Sequence, residues 1–305
     1  MDSMNCRWHD AAGIPEGDDV TDRLSRLATS WRPRVEAAVA WLHERGYDGE
    51  VGLILGSGLG NFVEAITDSR ACEFADVPGF ATPSVQAHQG RLVRGRAGKV
   101  RVIVMQGRLH PYEGLPFDAL LLPTAVLACL NVATVVVTNA AGGLNRFYRP
   151  GDLMVIRDQL DLHLHDPLRG LLGDPPAGER SRPVGNVFDP ELARRLAAVG
   201  AEIGVPLHSG TYASVWGPAY ETKAEIGLLK RIGCDAVGMS TTPETVLLAG
   251  LGVKVVGLSC ITNPSREVGQ PELLHEDVVE VGRMVREKMA RLLMAFLPRL
   301  APSSG

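Results

Sequence analysis

Leu120-Leu121-Leu122-Pro123-Thr124-Ala125-Val126-Leu127-Ala128-Cys129-Leu130 leads, through Asn131-Val132-Ala133, into Thr134-Val135-Val136-Val137-Thr138-Asn139-Ala140-Ala141-Gly142-Gly143. The first run predicts a helix. The second, β-branched and apolar on both faces, predicts a strand buried inside a sheet. It ends in small residues and glycines, which let backbone approach a ligand closely; a merely crowded turn would read the same way.

Outward from this unit the alternation repeats. Residues 34–45 put Val35, Ala38, Val39 and Leu42 on one helical face and stop at Gly46. Residues 51–55 make a short apolar strand, and 91–96 with 100–105 flank Ala97-Gly98-Lys99 as a hairpin. Further strands are expected at 153–156, 211–215, 236–238 and 253–260, with helices at 190–203, 223–232, 245–251 and 275–293. β-runs interleaved with amphipathic helices predict an α/β fold: one domain over residues 21–305, with a mixed, largely parallel twisted sheet flanked by helices. Residues 1–20 lack periodicity and read as a mobile leader. Residues 166–186, rich in Gly, Pro, Asp and Arg, read as a lid, a subunit contact or an insertion.

The chain of 305 residues is 45% hydrophobic and 22% charged, the balance of a folded soluble domain. A net charge of −4 without basic runs argues against nucleic acid as a partner. The longest apolar stretches, such as 119–122 and 132–137, are far too short to span a membrane, and no signal-type segment opens the chain. Cys6, Cys72, Cys129, Cys234 and Cys260 are scattered, odd in number and without a C-x-x-C pair. They read as free thiols in a reducing, cytoplasmic setting.

Chemistry gathers at strand ends. Leu55-Gly56-Ser57-Gly58-Leu59-Gly60 follows a strand and precedes what reads as a helix start, so backbone N–H groups and the Ser57 hydroxyl can converge on an anion. A dinucleotide fingerprint would need its third glycine where Asn61 stands, and a tight turn remains an alternative. Gln106-Gly107-Arg108-Leu109-His110-Pro111-Tyr112-Glu113-Gly114 supplies a guanidinium fork and an imidazole, or else a solvated polar loop. His88 precedes the hairpin and could approach the same anion. Tyr220-Glu221-Thr222 and Ile261-Thr262-Asn263 combine an aromatic ring, a carboxylate and an amide, groups suited to the face and edge of a flat heterocycle. His163 and His165, between Asp161 and Asp166, lack further ligands at metal-site spacing, and no metal is expected.

In order along the chain, residues 55–60, 106–114, 136–144, 217–225, Val237-Gly238-Met239-Ser240-Thr241 and Ile261-Thr262-Asn263 resemble the motifs of the trimeric purine nucleoside phosphorylases. The likeness runs from about residue 30 to residue 297. It implies a mixed α/β fold, a homotrimer, and reversible phosphorolysis of a purine nucleoside to free base and ribose 1-phosphate. Phosphate would be the co-substrate, with neither metal nor organic cofactor. By position the resemblance implies phosphate contacts from Ser57, His88, Arg108, His110, the Ala140 backbone and Ser240. Tyr112, Met239 and His275 would surround the ribose. Tyr220, Glu221, Val237 and Asn263 would hold the base, with His110, Glu221 and Asn263 carrying the chemistry. The pairing of Glu221 with Asn263 implies 6-oxopurine substrates such as inosine and guanosine.

One departure concerns an aromatic residue that members of this family bring from a neighbouring subunit over the ribose; this chain has Arg180-Ser181 there. Rival readings are a 5′-methylthioadenosine phosphorylase, in which an aspartate would meet the 6-amino group, a catalytically silent nucleoside-binding protein of the same fold, and a nicotinamide-dependent dehydrogenase.

Overall fold

The computed structural model describes residues 20–56, 59–85, 88–163, 166, 168–173, 186–264 and 275–300, the side chains of 264 and 275–284 excepted. In chain order these form α1 (Val20–Arg26), α2 (Arg32–His43), β1 (Val51–Leu55), β2 (Thr67–Glu73), β3 (Arg91–Ala97), β4 (Val100–Gln106), α3 (Phe117–Leu120), α4 (Leu122–Ala128), β5 (Thr134–Gly143) and β6 (Leu153–Asp161). There follow α5 (Pro190–Glu202), β7 (Leu207–Ser214), α6 (Lys223–Arg231), β8 (Ala236–Gly238), α7 (Thr242–Gly250), β9 (Lys254–Pro264) and α8 (His275–Phe296).

The strands join in the order β2-β3-β4-β1-β5-β8-β7-β6-β9, and β5 also pairs with β9, so the section from β5 to β9 closes on itself. The sheet is mixed. β1 pairs in parallel with β4 and β5, as do β5 with β9 and β7 with β6 and β8. The β2–β3, β3–β4, β5–β8 and β6–β9 pairs are antiparallel. β5 is the axis of this arrangement. Its first half lies between β1 and β9, and its last residues, Gly142 and Gly143, lie between β8 and β9.

The twofold alternation of strand side chains divides the core in two. Ile54, Val135 and Val137 pack with Val35 and Leu42 of α2, Val126 of α4 and Leu247 of α7. On the other side Leu53, Leu55 and Val136 meet Leu196 of α5 and Leu292 and Phe296 of α8. Local signals fix the helix starts. Asp189 accepts from the Leu192 amide at 2.9 Å ahead of Pro190, and Thr222 with Glu225 forms a reciprocal capping box at α6. Buried Arg23 donates to the carbonyls of Ala128 and Val132, each at 2.6 Å, and so ties α1 to the end of α4.

Several expectations need correction. The glycine loop after β1 enters a 3-10 turn (Gly60–Ala65) and then β2, not a helix. β2 escapes sequence reading because nearly every side chain in it is exposed, leaving no apolar alternation to detect. The helix expected over 120–130 is two pieces that meet at Leu121, with Pro123 in the first turn of the second. β5, β6 and β9 run further than their apolar cores suggested, since pairing carries them into the polar and glycine-rich segments. The sheet is mixed and largely parallel, as expected, but its section from β5 to β9 closes on itself. Residues 1–19 and most of 166–186 lie outside the described residues.

Candidate active site

The polar cluster begins where β4 ends. Gly107 has φ +107°, and a Cβ there would lie 2.8 Å from His88 Cβ, so only glycine lets the two segments meet. His88 Nδ1 accepts the Arg108 backbone N–H at 3.2 Å, which leaves the proton of the neutral ring on Nε2. The His88 and His110 rings stand 4.9 Å apart, and His110 stacks on Tyr112 at 4.8 Å and 18°. Burial, followed by the positive charge of Arg108 and then that of His110, pushes His88 down to about 3, against the pull of Glu113. Burial and Arg108 likewise push His110 down to about 4. Both rings are neutral at pH 7; His88 can donate a hydrogen bond through Nε2 without carrying charge, while His110 turns Nδ1 toward Glu113 Oε1, 3.4 Å away.

Glu113 organises this turn. Its carboxylate accepts from the His110 amide at 2.6 Å and from the amide and hydroxyl of Ser84 at 2.6 and 2.7 Å. Burial opposes ionisation, but these donors together with His110 hold the carboxyl below its usual range.

Arg108 is only 1% exposed. Its Nη1 donates to Ser240 Oγ at 3.0 Å and Thr241 Oγ1 at 3.2 Å, Nη2 reaches Ile54 O at 3.4 Å, and Nε faces Glu244 Oε1 at 3.4 Å. Ser240 is held from behind, its carbonyl accepting from Tyr212 Oη at 3.2 Å and Ser214 Oγ at 2.9 Å. Thr241 adopts φ +81°, an unfavourable backbone for a β-branched residue, and also accepts from Asn139 Nδ2 at 3.0 Å. Asn139 precedes Ala140, so the end of β5, the entry to α7 and Arg108 form one connected polar unit. A cleft of about 120 Å³, lined by Gly56, Gly60, Asn61, Gln89, Gln106, Gly107 and Arg286, adjoins it. A larger groove of about 300 Å³ lies on the other side of Asn61, between the 3-10 turn and α8, with no contribution from the Arg108 cluster.

Met239 and Tyr112 come together at one point. A Cβ on Gly217 would lie 2.4 Å from Met239 Sδ and 3.0 Å from Tyr112 Cδ1. Tyr220, 83% exposed, stands close enough to help raise the Tyr112 pKa, after burial and Glu113. The 216–221 loop therefore closes against the residues that extend from the polar cluster.

Val237 and Asn263 both lie opposite Gly142, one on each side of β5. Their backbones are thus two strand spacings apart, roughly 10 Å, with a side-chain-free residue between them. α6 packs on Val237 through Ile226 and Leu229, which sets Glu221 just ahead of the α6 cap. Glu221 is partly buried, and desolvation, then Glu225, raises its pKa against its own backbone amide.

His88, Arg108, His110, Tyr112, Ala140, Met239 and Ser240 are thus linked by contacts or direct chain neighbours, and Val237 and Asn263 by strand register. Ser57, His165 and Arg180-Ser181 lie outside the described residues; His275 opens α8, its side chain likewise outside the description. His163 is buried, its Nδ1 2.5 Å from Asp161 Oδ1 and its ring edge-on to Trp216. Cys72, Cys129, Cys234 and Cys260 are free thiols. Among the described residues no helix is long and apolar enough to cross a membrane.

Sequence reasoning missed Glu113 and Glu244 as organisers. Glu113 had a legible signal, three residues after His110 at capping-box spacing. Glu244 stands three residues after Thr241 at the same spacing, which signals the start of a helix, but only the folded chain brings it to Arg108.

A family model described as the phosphorylase superfamily matches residues 50–298. Purine nucleoside phosphorylase 1 of Bacillus subtilis (strain 168) is 36% identical over 267 residues, covering 87% of this chain and 98% of the relative. The Schistosoma mansoni purine nucleoside phosphorylase in complex with inosine superposes with a TM-score of 0.81 at 32% identity, covering 89% of this chain and 98% of that one. The same organism's enzyme in complex with adenosine gives 0.80 at 33%, with the same coverage. The chain belongs to the phosphorylase superfamily and, within it, to the purine nucleoside phosphorylase family.

Proposed function

We propose that this chain catalyses the reversible phosphorolysis of 6-oxopurine ribonucleosides and 2′-deoxyribonucleosides, inosine and guanosine among them, yielding free base and (deoxy)ribose 1-phosphate for purine salvage. The observation that carries this reading is the continuous set of contacts from His88 and Arg108, through Ser240 and Met239, to Tyr112 and the 216–221 loop. It offers an anion site at one end and an aromatic-walled mouth at the other.

Phosphate is the co-substrate, received by Ser57, His88, His110, the Ala140 backbone and Ser240, with Arg108 behind them. Ser240 Oγ accepts from Arg108 and lies 3.2 Å from Thr241 Oγ1, which already accepts from Arg108 and Asn139 and so is the donor in that contact; the Ser240 hydrogen is left to point outward, and the buried charge acts partly through the hydroxyl. As the C1′–N9 bond breaks, its electron pair goes to the purine and positive charge develops on the sugar. A phosphate oxygen then bonds to C1′. Tyr112, Met239 and His275 contain the ribose while this happens. Asn263 donates to N7, where the departing charge collects, and Glu221 accepts from N1–H. Tyr220 covers the base and Val237 lines its pocket.

Adenine has no N1–H, so Glu221 would meet a lone pair there, a costly mismatch in a partly dry site. Since a related enzyme is seen with adenosine bound, occupancy does not discriminate between substrates; turnover does. The scheme calls for no metal or organic cofactor. The same reading makes the chain a cytoplasmic homotrimer, with a sedimentation mass three times the 32.7 kDa of one chain.

The deciding experiment is a substrate panel of inosine, guanosine, xanthosine, adenosine and methylthioadenosine, each with and without phosphate. Hypoxanthine released from inosine only when phosphate is present is the expected result. Preferential cleavage of methylthioadenosine, or release that ignores phosphate, would overturn it.

A further inference from the structure

Glu244 sits in the first turn of α7, almost wholly buried, and no part of the scheme above uses it. We infer that Glu244 is the positioning residue of the phosphate site, its carboxylate holding the Nε edge of Arg108 and thereby fixing which N–H groups face the anion. The inference rests on the assignment of that site to phosphate.

The argument is a count of donors. A guanidinium has five N–H groups in a fixed plane. Both on Nη1 are taken by Ser240 Oγ and Thr241 Oγ1, and one on Nη2 points to Ile54 O. The Nε–H is turned toward Glu244 Oε1 at 3.4 Å, long for a hydrogen bond but close for opposite charges. One Nη2 hydrogen and the Ser240 hydroxyl are then what Arg108 can present. Among the described residues no other carboxylate pairs with Arg108, and at 1% exposure water does not offset its charge.

With the carboxylate gone, the plane could rotate about the Cδ–Nε bond toward any remaining acceptor. Its pairing with Ser240 would be lost as it turned. Glu244 Oε2 and Arg108 Nε have no hydrogen-bond partner among the described residues, and the carboxyl otherwise accepts from the Thr241 backbone, so the pair is held by charge and packing with one amide rather than by a saturated network. Such a pair is sensitive to removal of one member. The competing explanation is local: an acidic residue in the first turn of a helix stabilises that helix through its dipole. The two explanations predict different measurements.

Phosphate affinity by calorimetry, KM for phosphate, KM for inosine at saturating phosphate, and Tm would be measured for the full-length protein and for Glu244→Gln and Glu244→Ala. Glu244→Ala should weaken phosphate binding and raise the phosphate KM about tenfold or more. Glu244→Gln, which keeps an acceptor but loses the charge, should do so by about threefold to tenfold. The inosine KM should stay within about twofold, because the base and ribose residues do not touch Glu244. If Glu244→Ala does not fold, Glu244→Gln decides alone. Unchanged or tighter phosphate binding in Glu244→Gln would overturn the inference. So would equal losses for both substrates accompanied by a lower Tm, which is the helix-dipole result. Wild-type protein that binds no phosphate would instead overturn the assignment of the site itself.

Discussion

Thr262 Oγ1 lies 2.8 Å from Asn263 Oδ1, so a hydroxyl on the preceding residue settles which way the Asn263 amide points. Thr262 has one hydrogen to give, and its other acceptor, Ala141 O, is further away at 3.4 Å. With Oδ1 occupied, the NH2 group faces the other way as the free donor. An amide that is oriented before the substrate arrives needs no reorganisation when charge develops on the leaving base.

Asn263→Ala removes the donor and should lower kcat for inosine about 100-fold, within the range seen when one preorganised donor is deleted. Thr262→Val keeps the shape but frees the amide to flip, and should lower kcat/KM about tenfold with Tm nearly unchanged. Steady-state kinetics with inosine and guanosine check both. Thr262→Val kinetics equal to wild type would mean that something other than Thr262 fixes the amide.

Glu221 carries the selectivity. Glu221→Ala should cut kcat/KM for inosine by well over tenfold, while the already slow reaction of adenosine changes little, so the ratio between the two substrates collapses. The carboxyl is raised above its ordinary range, mainly by desolvation. Hypoxanthine affinity, which needs the ionised form, should therefore weaken at a higher pH on acidification than an ordinary glutamate would allow. Isothermal titration at stepped pH, with Glu221→Gln as the control that cannot titrate, reads this directly.

How much of this was legible beforehand follows from which forces leave a trace in sequence. Val51–Leu55 and Thr134–Val137 announce themselves because burial on both faces demands unbroken apolar runs. β2 leaves no trace, since an exposed strand is held by backbone pairing that any polar sequence can make. The closure of β5 onto β9 is also silent, as both candidate partners of a buried strand look alike from within it. The site residues were readable as motifs through the family likeness, and their environments were not. That His88 and His110 are neutral, that Arg108 is sealed from solvent and that Glu244 faces it all depend on segments far apart in the chain.

The two histidines make stability depend on pH in a predictable direction. Their folded values, about 3 for His88 and about 4 for His110, lie below the 6.5 of an unperturbed ring. As pH falls below 6.5 the unfolded chain takes up protons that the folded one refuses, so the unfolded state gains. The stability owed to the neutral rings is complete above 6.5 and is lost as pH falls toward the folded values. Glu221 and Glu244 are shifted upward and act in the opposite sense, so a comparison with a variant is needed to isolate the histidines. Thermal melts between pH 7.5 and pH 4, run on wild type and on His88→Gln, provide it: the wild-type Tm should fall more steeply over roughly the two units below 6.5. The amide side chain of the variant cannot take a proton, so its curve should be flatter across that window. Parallel curves would mean that His88 titrates alike in both states and is not buried neutral.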